Sequence, residues 1–382
     1  MKLQLEKIEL REIEMPLKRP FETSFGTTTG RRVLLVGVWD EDGTSGWSEC
    51  TAMEGPFYSP ETIETAFIII TKFIIPMLRA KNVSSAEEVS AALKPIIGNR
   101  MSIAAIETAV WDLEAKKANV PLWRHLGGTH AEINCGVSIG IQKSTDELIE
   151  AVSRELASGY QRIKIKIKPG LDLELVKAVR RQFPDITLSV DANSAYHLET
   201  DTQLFEELDD YNLLMIEQPL AAGDLVDHAK LQKLLKTPLC LDESITNLRD
   251  AQHALELGSC RILNIKLGRV GGHREARAIQ DFAGRNNTPV WCGGMLETGI
   301  GRAHNIAMST LAGFTLPGDV SASARYWAED IIEPPVTVSP QGTIAAPTAP
   351  GIGYEIKENL IQKLTTNQTV EFLAEAPAKV FV

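Results

Sequence analysis

The chain has 382 residues, 44% of them hydrophobic and 23% charged, and carries a net charge of -11. That length exceeds an ordinary single core, so a large barrel with a smaller companion domain is expected, and the composition excludes a disordered or membrane-embedded chain. The acidic balance argues against a nucleic-acid partner, because gripping a phosphate backbone takes clustered Lys and Arg.

The opening stretch MKLQLEKIELREIEM interleaves charges with apolar residues and builds no secretion signal, so a cytoplasmic location is expected. Two strand-like runs, 3–15 and 31–40, precede helical patterns near 60–80, 86–95 and 102–118, which predicts an α+β domain over residues 1–127. The apolar run Ala66 to Leu78 spans only about two-thirds of a bilayer and is interrupted by Thr71, Lys72 and Pro76. A buried helix is expected there, and no membrane partner.

Over residues 128–330, β-rich runs alternate with amphipathic helical patterns, the mark of repeated βα units. The candidate strands are 133–140, 162–167, 186–191, 213–217, 238–242, 261–266, 288–293 and, less sharply, 314–319. Eight strands predict an α/β fold of the (β/α)8 barrel type, with the first domain as an α+β cap. Between them, Ser144 and Glu147 form a capping box, Leu175, Val176, Val179 and Phe183 share one helical face, and Gly258 ends a helix. The stretch 331–382 is rich in Pro and Gly, shows no helical period, and is expected to pack back on the capping domain. Cys50, Cys135, Cys240, Cys260 and Cys292 are odd in number, lack CxxC spacing and read as reduced packing residues.

Five of the strands end in a charged residue. Lys166, Asp191, Glu217, Asp242 and Lys266 follow one another at intervals of 25, 26, 25 and 24 residues, about one βα unit each. They should therefore stand on the C-terminal rim, where barrels build active sites. Any one acid alone reads as an ordinary strand end. Three converging carboxylates would repel one another without a cation, and all-oxygen ligation favours a hard ion, so Asp191, Glu217 and Asp242 are the expected ligands of magnesium, with manganese as the alternative.

In RIKIKIKPG, period-two alternation separates Ile163, Ile165 and Ile167 from Lys164, Lys166 and Lys168. By itself a KxKxK run reads as a solvated edge strand. In a barrel the helices cover the outer face, so the isoleucines belong outside and the lysines inside or at the rim. The Lys164 ammonium should disfavour protonation of Lys166 and make it a usable base. Lys266, four strands further round an eight-membered ring, faces Lys166 across the mouth. Asn193 and Glu243 adjoin proposed ligands and are expected to orient carboxylates or hold Lys266, while Arg269 either tunes Lys266 or is a surface charge. Gly268, Gly271 and Gly272 fail the GxGxxG spacing and read as backbone clearance. Two lysines and a metal suit abstraction of a proton next to a carboxylate, where the enediolate needs strong electrostatic support.

The segments KIK (164–166), VDAN (190–193), IEQP (216–219), LDES (241–244) and NIKLGRVGG (264–272) resemble the muconate-lactonizing subgroup of the enolase superfamily. Within it, WSEC (47–50), SFGTTTG (24–30), GVSIGI (136–141), WCGGMLETGIGRA (291–303) and LPGDVSAS (316–323) resemble the o-succinylbenzoate synthase and N-acylamino acid racemase family. The resemblance implies an N-terminal cap whose loops close over the barrel mouth and select a small-molecule carboxylate substrate. Phe21, Phe25 and Met53 occupy the matching loops. Ser138, Cys292, Met295, Leu296 and Tyr326 match barrel-end positions lining that family's pocket, although each aromatic or Met, taken alone, reads as core.

The same resemblance implies dehydration of a cyclohexadiene carboxylate in menaquinone formation, with racemisation of N-acylated, especially N-succinylated, amino acids at the same site. A dedicated N-succinylamino acid racemase is the alternative. A muconate cycloisomerase shares both lysines and all three acids and is the nearest rival chemistry. A dipeptide epimerase is disfavoured because GDVSAS lacks the DxD pattern, and a mandelate-racemase type because Lys266 stands where that type uses a His elsewhere on the rim. A silent metabolite-binding barrel would keep the fold without the reactive groups. A homo-oligomer is compatible with the sequence.

Overall fold

Residues 2–81 and 83–373 are described by a computed structural model. The strands Leu5–Thr23, Gly26–Asp40 and Ser45–Cys50 run antiparallel, and the strand Thr365–Phe372 adds to the free edge of the first. The first two strands form a long hairpin turning at Ser24 and Phe25, well beyond the expected 3–15 and 31–40. Their pairing breaks between Pro16 and Phe21, where proline contributes no ladder donor. The third strand was not foreseen in the sequence.

Helices cover one face of this sheet. The run Ala66 to Leu78 is helical, with Ala66, Ile70, Ile74, Ile75 and Leu78 buried. Helix Arg100–Lys117 is buried almost all round because it lies between the capping sheet and the barrel, touching strand Ser45–Cys50 and helix Leu267–Val270. Its Glu107 carboxylate accepts the backbone N–H groups of His273 (2.9 Å) and Arg274 (3.0 Å), fastening the cap to a barrel helix.

Seven strands, from Gly136–Ile139 to Val290–Cys292, form one parallel sheet in chain order, joined by crossover helices. The expected eighth strand, 314–319, is a bridging segment instead. Phe314 bridges Val290 and Gly318 bridges Cys135, so the segment bonds the last and first regions of the ring. Pro317 withholds a donor there, and Gly318 lies where a Cβ would come within 3.0 Å of the Cys292 carbonyl oxygen. Crossover helices end where the sequence indicated: Glu147 N donates to Ser144 Oγ (3.2 Å), and Gly258 stops a helix at φ 73°.

After the barrel, Thr343–Ala345 pairs with Glu132–Asn134, and Ile332–Glu333 with Glu355–Ile356. Helix Glu358–Leu364, absent from the sequence reading, buries only Ile361, too little to leave a visible period. It leads into the strand that joins the capping sheet. The five cysteines are free and buried. Among the described residues, no helix is long and apolar enough to cross a membrane.

Candidate active site

Strand register sets the rim. Lys166 lies opposite Asp191, Asp191 opposite Glu217, and Glu217 opposite Cys240, so Asp242 emerges one residue beyond strand Leu239–Leu241. Lys266 follows strand Ile262–Ile265 in the same way. Three strands stand between the two lysines, carrying Asp191 and Glu217 at their ends and Asp242 just beyond. Ile163, Ile165 and Ile167 are buried, as are Lys164 and Lys166 at 2% and 8% exposure. Such lysines need partners, because an unpaired buried charge is very costly.

They have them. Lys164 Nζ lies 2.7 Å from Glu217, 3.2 Å from Asp191 and 2.7 Å from Asp319. Burial alone would depress the Lys164 ammonium, but Asp319, Glu217 and Asp191 outweigh it and hold its pKa above the ordinary lysine value. Lys166 Nζ bonds Asp191 Oδ2 (2.6 Å) and Asn193 Oδ1 (2.7 Å), so it shares one carboxylate oxygen with Lys164. Lys266 Nζ bonds Asp242 Oδ2 (2.8 Å) and the Tyr58 hydroxyl (3.1 Å), and here too burial is outweighed, by Tyr58, Glu243, Glu217 and Asp191.

Of the neighbours expected to orient carboxylates or hold Lys266, Asn193 donates its backbone N–H to Asp191 Oδ1 (3.0 Å). Asn193, at φ 43°, bonds Lys166 and Glu243 (3.0 Å), and neither Asn193 nor Glu243 hydrogen-bonds Lys266. Glu243 keeps one buried oxygen without a partner, and burial, followed by Asp191, pushes its carboxyl up to about 7. Arg269 is no surface charge: it is 4% exposed, pairs with Asp242, and reaches Tyr58 (3.2 Å) and the Ile245 carbonyl (2.7 Å).

Further residues complete the centre. Asn264 donates to Glu217 (2.6 Å), Gln218 accepts from Asp242 N (2.9 Å), and Asp319 joins Arg162 (2.6 Å) to Lys164. Period-two alternation was the available signal for Arg162 and Asn264, which share the parity of Lys164 and Lys266. Tyr58 has no such signal, since it lies in an irregular loop.

The donor chemistry of Asp191, Glu217 and Asp242 fits a divalent cation. All three are hard carboxylates with at most 1% exposure, and burial, followed by the Asp191 charge, pushes Glu217 upward. Among the described residues, no three such side chains converge as a ready-made ligand shell, and each acid is instead turned onto a lysine or arginine.

The residues matched to substrate pockets do not fall in one cavity. Phe25 and Met53 line a cavity of about 280 Å³ with Phe57, and the Phe25 ring lies 6.4 Å from that of Tyr58. Phe21 and Tyr326 line a groove of about 630 Å³ with Ile139 and Arg325. Ser138 is buried opposite Lys164 with its hydroxyl unpartnered. The Met295 carbonyl accepts from Arg31 of the cap (2.9 Å), and Leu296 takes a left-handed φ of 58°. Cys292 lines a separate cavity of about 320 Å³ with Asn134, Ser309 and Phe314.

The cap closes onto this rim. Glu22 pairs with Lys168 (3.0 Å) and accepts from Ile141 N (2.9 Å), while Ser24 donates to the Asn193 carbonyl (3.3 Å).

A two-domain chain with a charged barrel rim under a capping sheet is the architecture of the enolase superfamily, and sequence comparison agrees. Residues 7–127 match the mandelate racemase / muconate lactonizing enzyme N-terminal domain, and residues 147–360 match the enolase C-terminal domain-like family. The chain is 52% identical to an o-succinylbenzoate synthase of Geobacillus kaustophilus, covering 96% of this chain and 97% of that one. It is 45% identical to an N-succinylamino acid racemase of Thermus thermophilus, covering 95% and 98%. A crystal structure of an enolase-superfamily member from Listeria innocua superposes with a TM-score of 0.93 at 42% identity, covering 97% of this chain and 100% of that one. The chain belongs to the o-succinylbenzoate synthase and N-succinylamino acid racemase family, in the muconate-lactonizing subgroup of the enolase superfamily.

Proposed function

We infer that the chain is an o-succinylbenzoate synthase, a carbon–oxygen lyase dehydrating a cyclohexadiene carboxylate in menaquinone formation, and that the same site racemises N-succinyl amino acids. The supporting observation is the pair of buried lysines, each bonded to a different carboxylate, with three acid-bearing strand ends between them. Relatives named either o-succinylbenzoate synthase or N-succinylamino acid racemase, at 45–52% identity over nearly the whole length, support the substrate class.

Asp191, Glu217 and Asp242 would hold a divalent cation, magnesium foremost with manganese as the alternative. When bound, that ion supplies Lewis-acid stabilisation of the substrate carboxylate. Lys166 removes the α-proton. Lys164 shares Asp191 Oδ2 with it and places a second positive charge beside it. In dehydration, Lys166 then returns its proton to the departing hydroxyl, which leaves as water as the β-carbon–oxygen bond breaks. Lys266 remains an ammonium and meets the charge that develops on the carboxylate.

In racemisation both lysines exchange protons, one on each face of the α-carbon. Asn193 fixes Lys166, and Arg269 shares Asp242 with Lys266. The substrate is a small soluble carboxylate, and the work is cytoplasmic.

The test measures cyclohexadiene dehydration and N-succinyl amino acid racemisation on purified protein. Both should proceed with magnesium, stop with EDTA, and fall by at least about 10³-fold in Lys166→Ala. Undiminished turnover in EDTA or in the variant would overturn the mechanism, and absence of both reactions would overturn the assignment.

A further inference from the structure

The two catalytic lysines are held unequally. Every hydrogen bond of Lys166 is to the barrel itself, Asp191 and Asn193 on the next strand end. Lys266 has one barrel partner, Asp242, and one from the cap, the Tyr58 hydroxyl at 3.1 Å, with the Tyr58 ring centre 4.5 Å from Nζ. That hydroxyl also donates to Asp242 Oδ1 (2.9 Å) and accepts from Arg269 Nη1 (3.2 Å), so all its polar contacts fall on the group around Lys266.

The loop bearing Tyr58 is pinned at both ends. Met53 bridges Thr62, and Ile63 N donates to the Met53 carbonyl (3.1 Å). Next to that neck, Glu61 accepts from Met101 N (2.8 Å), Ser102 N (3.0 Å) and Ser102 Oγ (2.9 Å), tying the loop to the start of helix Arg100–Lys117. A tyrosine so anchored presents its hydroxyl at a set position rather than sampling the mouth.

We propose that Tyr58 is a positioning residue for one proton-transfer face only: it orients the Lys266 amine from the cap, while Lys166 is oriented by the barrel without it. The inference rests on the two-lysine reading above. Loss of one hydroxyl leaves Lys266 with the single partner Asp242 and freedom about its long side chain, and small misplacements of a proton-transfer group are costly. Cation–π attraction survives in Tyr58→Phe, so that variant isolates the hydrogen bond.

The experiment follows deuterium wash-in at the α-carbon from each enantiomer of an N-succinyl amino acid, with magnesium in deuterium oxide. Lys266→Ala first identifies the enantiomer whose proton that lysine removes. Tyr58→Phe should slow exchange from that same enantiomer by about tenfold or more and leave the other within about twofold. Tyr58→Leu, which also removes the ring, should deepen the loss on the same face. A general folding defect would slow both faces alike. Equal slowing of the two enantiomers, or no slowing, in Tyr58→Phe would overturn the inference while leaving the reaction standing; no exchange from either enantiomer in the unaltered chain would overturn both.

Discussion

On the barrel, Lys166, Asp191 and Glu217 stand at strand ends and Asp242 and Lys266 one residue beyond, so parallel register delivers all five to one rim. On the cap, Tyr58, Phe25 and Met53 ride on loops, and their positions depend on how those loops are tied down. The two regions also carry different kinds of energy. At the rim the barrel groups are buried charges, each stable only in company, whereas Tyr58, Phe25 and Met53 of the cap contribute hydroxyl and apolar contacts that cost less to lose. The barrel therefore tolerates no partial loss, whereas the cap can be altered in graded steps.

The largest expected effect breaks the barrel side of that contrast. Asp319 bridges Arg162 (2.6 Å) and Lys164 (2.7 Å), which are 0% and 3% exposed at their side chains. Asp319→Asn keeps the shape and removes the charge, so two buried cations lose their common counter-ion. Stability measured by urea unfolding should fall by about 3–5 kcal/mol, the usual cost of breaking a buried pair from one side. A fall below about 1 kcal/mol, typical of an exposed pair, would contradict the view that the rim is an interdependent charge cluster.

A smaller effect lies at the seam between the regions. Glu49 of the cap accepts from Thr298 N (3.1 Å) and Gly301 N (3.2 Å), at the start of barrel helix Gly299–Ser309. Burial pushes its carboxyl up to about 7 from 4.5, overcoming the Thr298 hydrogen bond. A folded-state pKa raised above the unfolded one means that the protonated acid stabilises the fold. The contribution is whole below pH 4.5 and is lost as pH rises through about 7. Relative to Glu49→Gln, which cannot titrate, the unaltered chain should lose up to roughly 3 kcal/mol across that window. Parallel stability curves for the two proteins would refute it.

The same contrast explains what the sequence disclosed. Strand spacing of 24 to 26 residues exposed the rim charges because a βα unit has a nearly constant length and places each strand end alike. Arg162 and Asn264 obeyed the same alternation and were legible in principle, but only the lysines beside them were assigned roles. Tyr58 was not legible, since no period relates a loop residue to a barrel strand 208 residues away. Asn193 illustrates the limit within a motif: adjacency to Asp191 marked it as a group that orients a carboxylate or holds Lys266, and its backbone N–H does donate to Asp191 Oδ1 (3.0 Å), but its left-handed φ of 43° and its side-chain bond to Lys166 had no sequence signal. Strand 314–319 failed as a strand because Pro317 withholds a donor, although its bridges to Val290 and Cys135 still fill the eighth place. Strand arithmetic could not separate dehydration from muconate cycloisomerisation, whose lysines and acids are the same. The groups that distinguish substrates belong to the cap loops and rim pockets, where whole-chain similarity was informative and periodicity was not.

The smallest expected effect tests the cap side alone. Gly140 follows the first barrel strand, where the hairpin tip lies so close that a Cβ would come within 2.8 Å of Glu22 O and 2.9 Å of Glu22 N. Both atoms are backbone, so the hairpin itself must shift in Gly140→Ala, at a cost of about 1–3 kcal/mol for overpacking. The displaced segment carries Phe21, the Glu22–Lys168 pair and the Ser24 contact to Asn193. Because the strain falls on substrate enclosure, and Ser24 touches only the Asn193 backbone carbonyl and not the side chain that holds Lys166, KM should rise by about tenfold while kcat changes by less than about threefold. Exchange from the two enantiomers should fall together, unlike the one-faced loss expected from Tyr58→Phe. A kcat collapse with KM unchanged would mean that the hairpin acts through the catalytic groups, and the division between a charge-built rim and a contact-built cap would not hold.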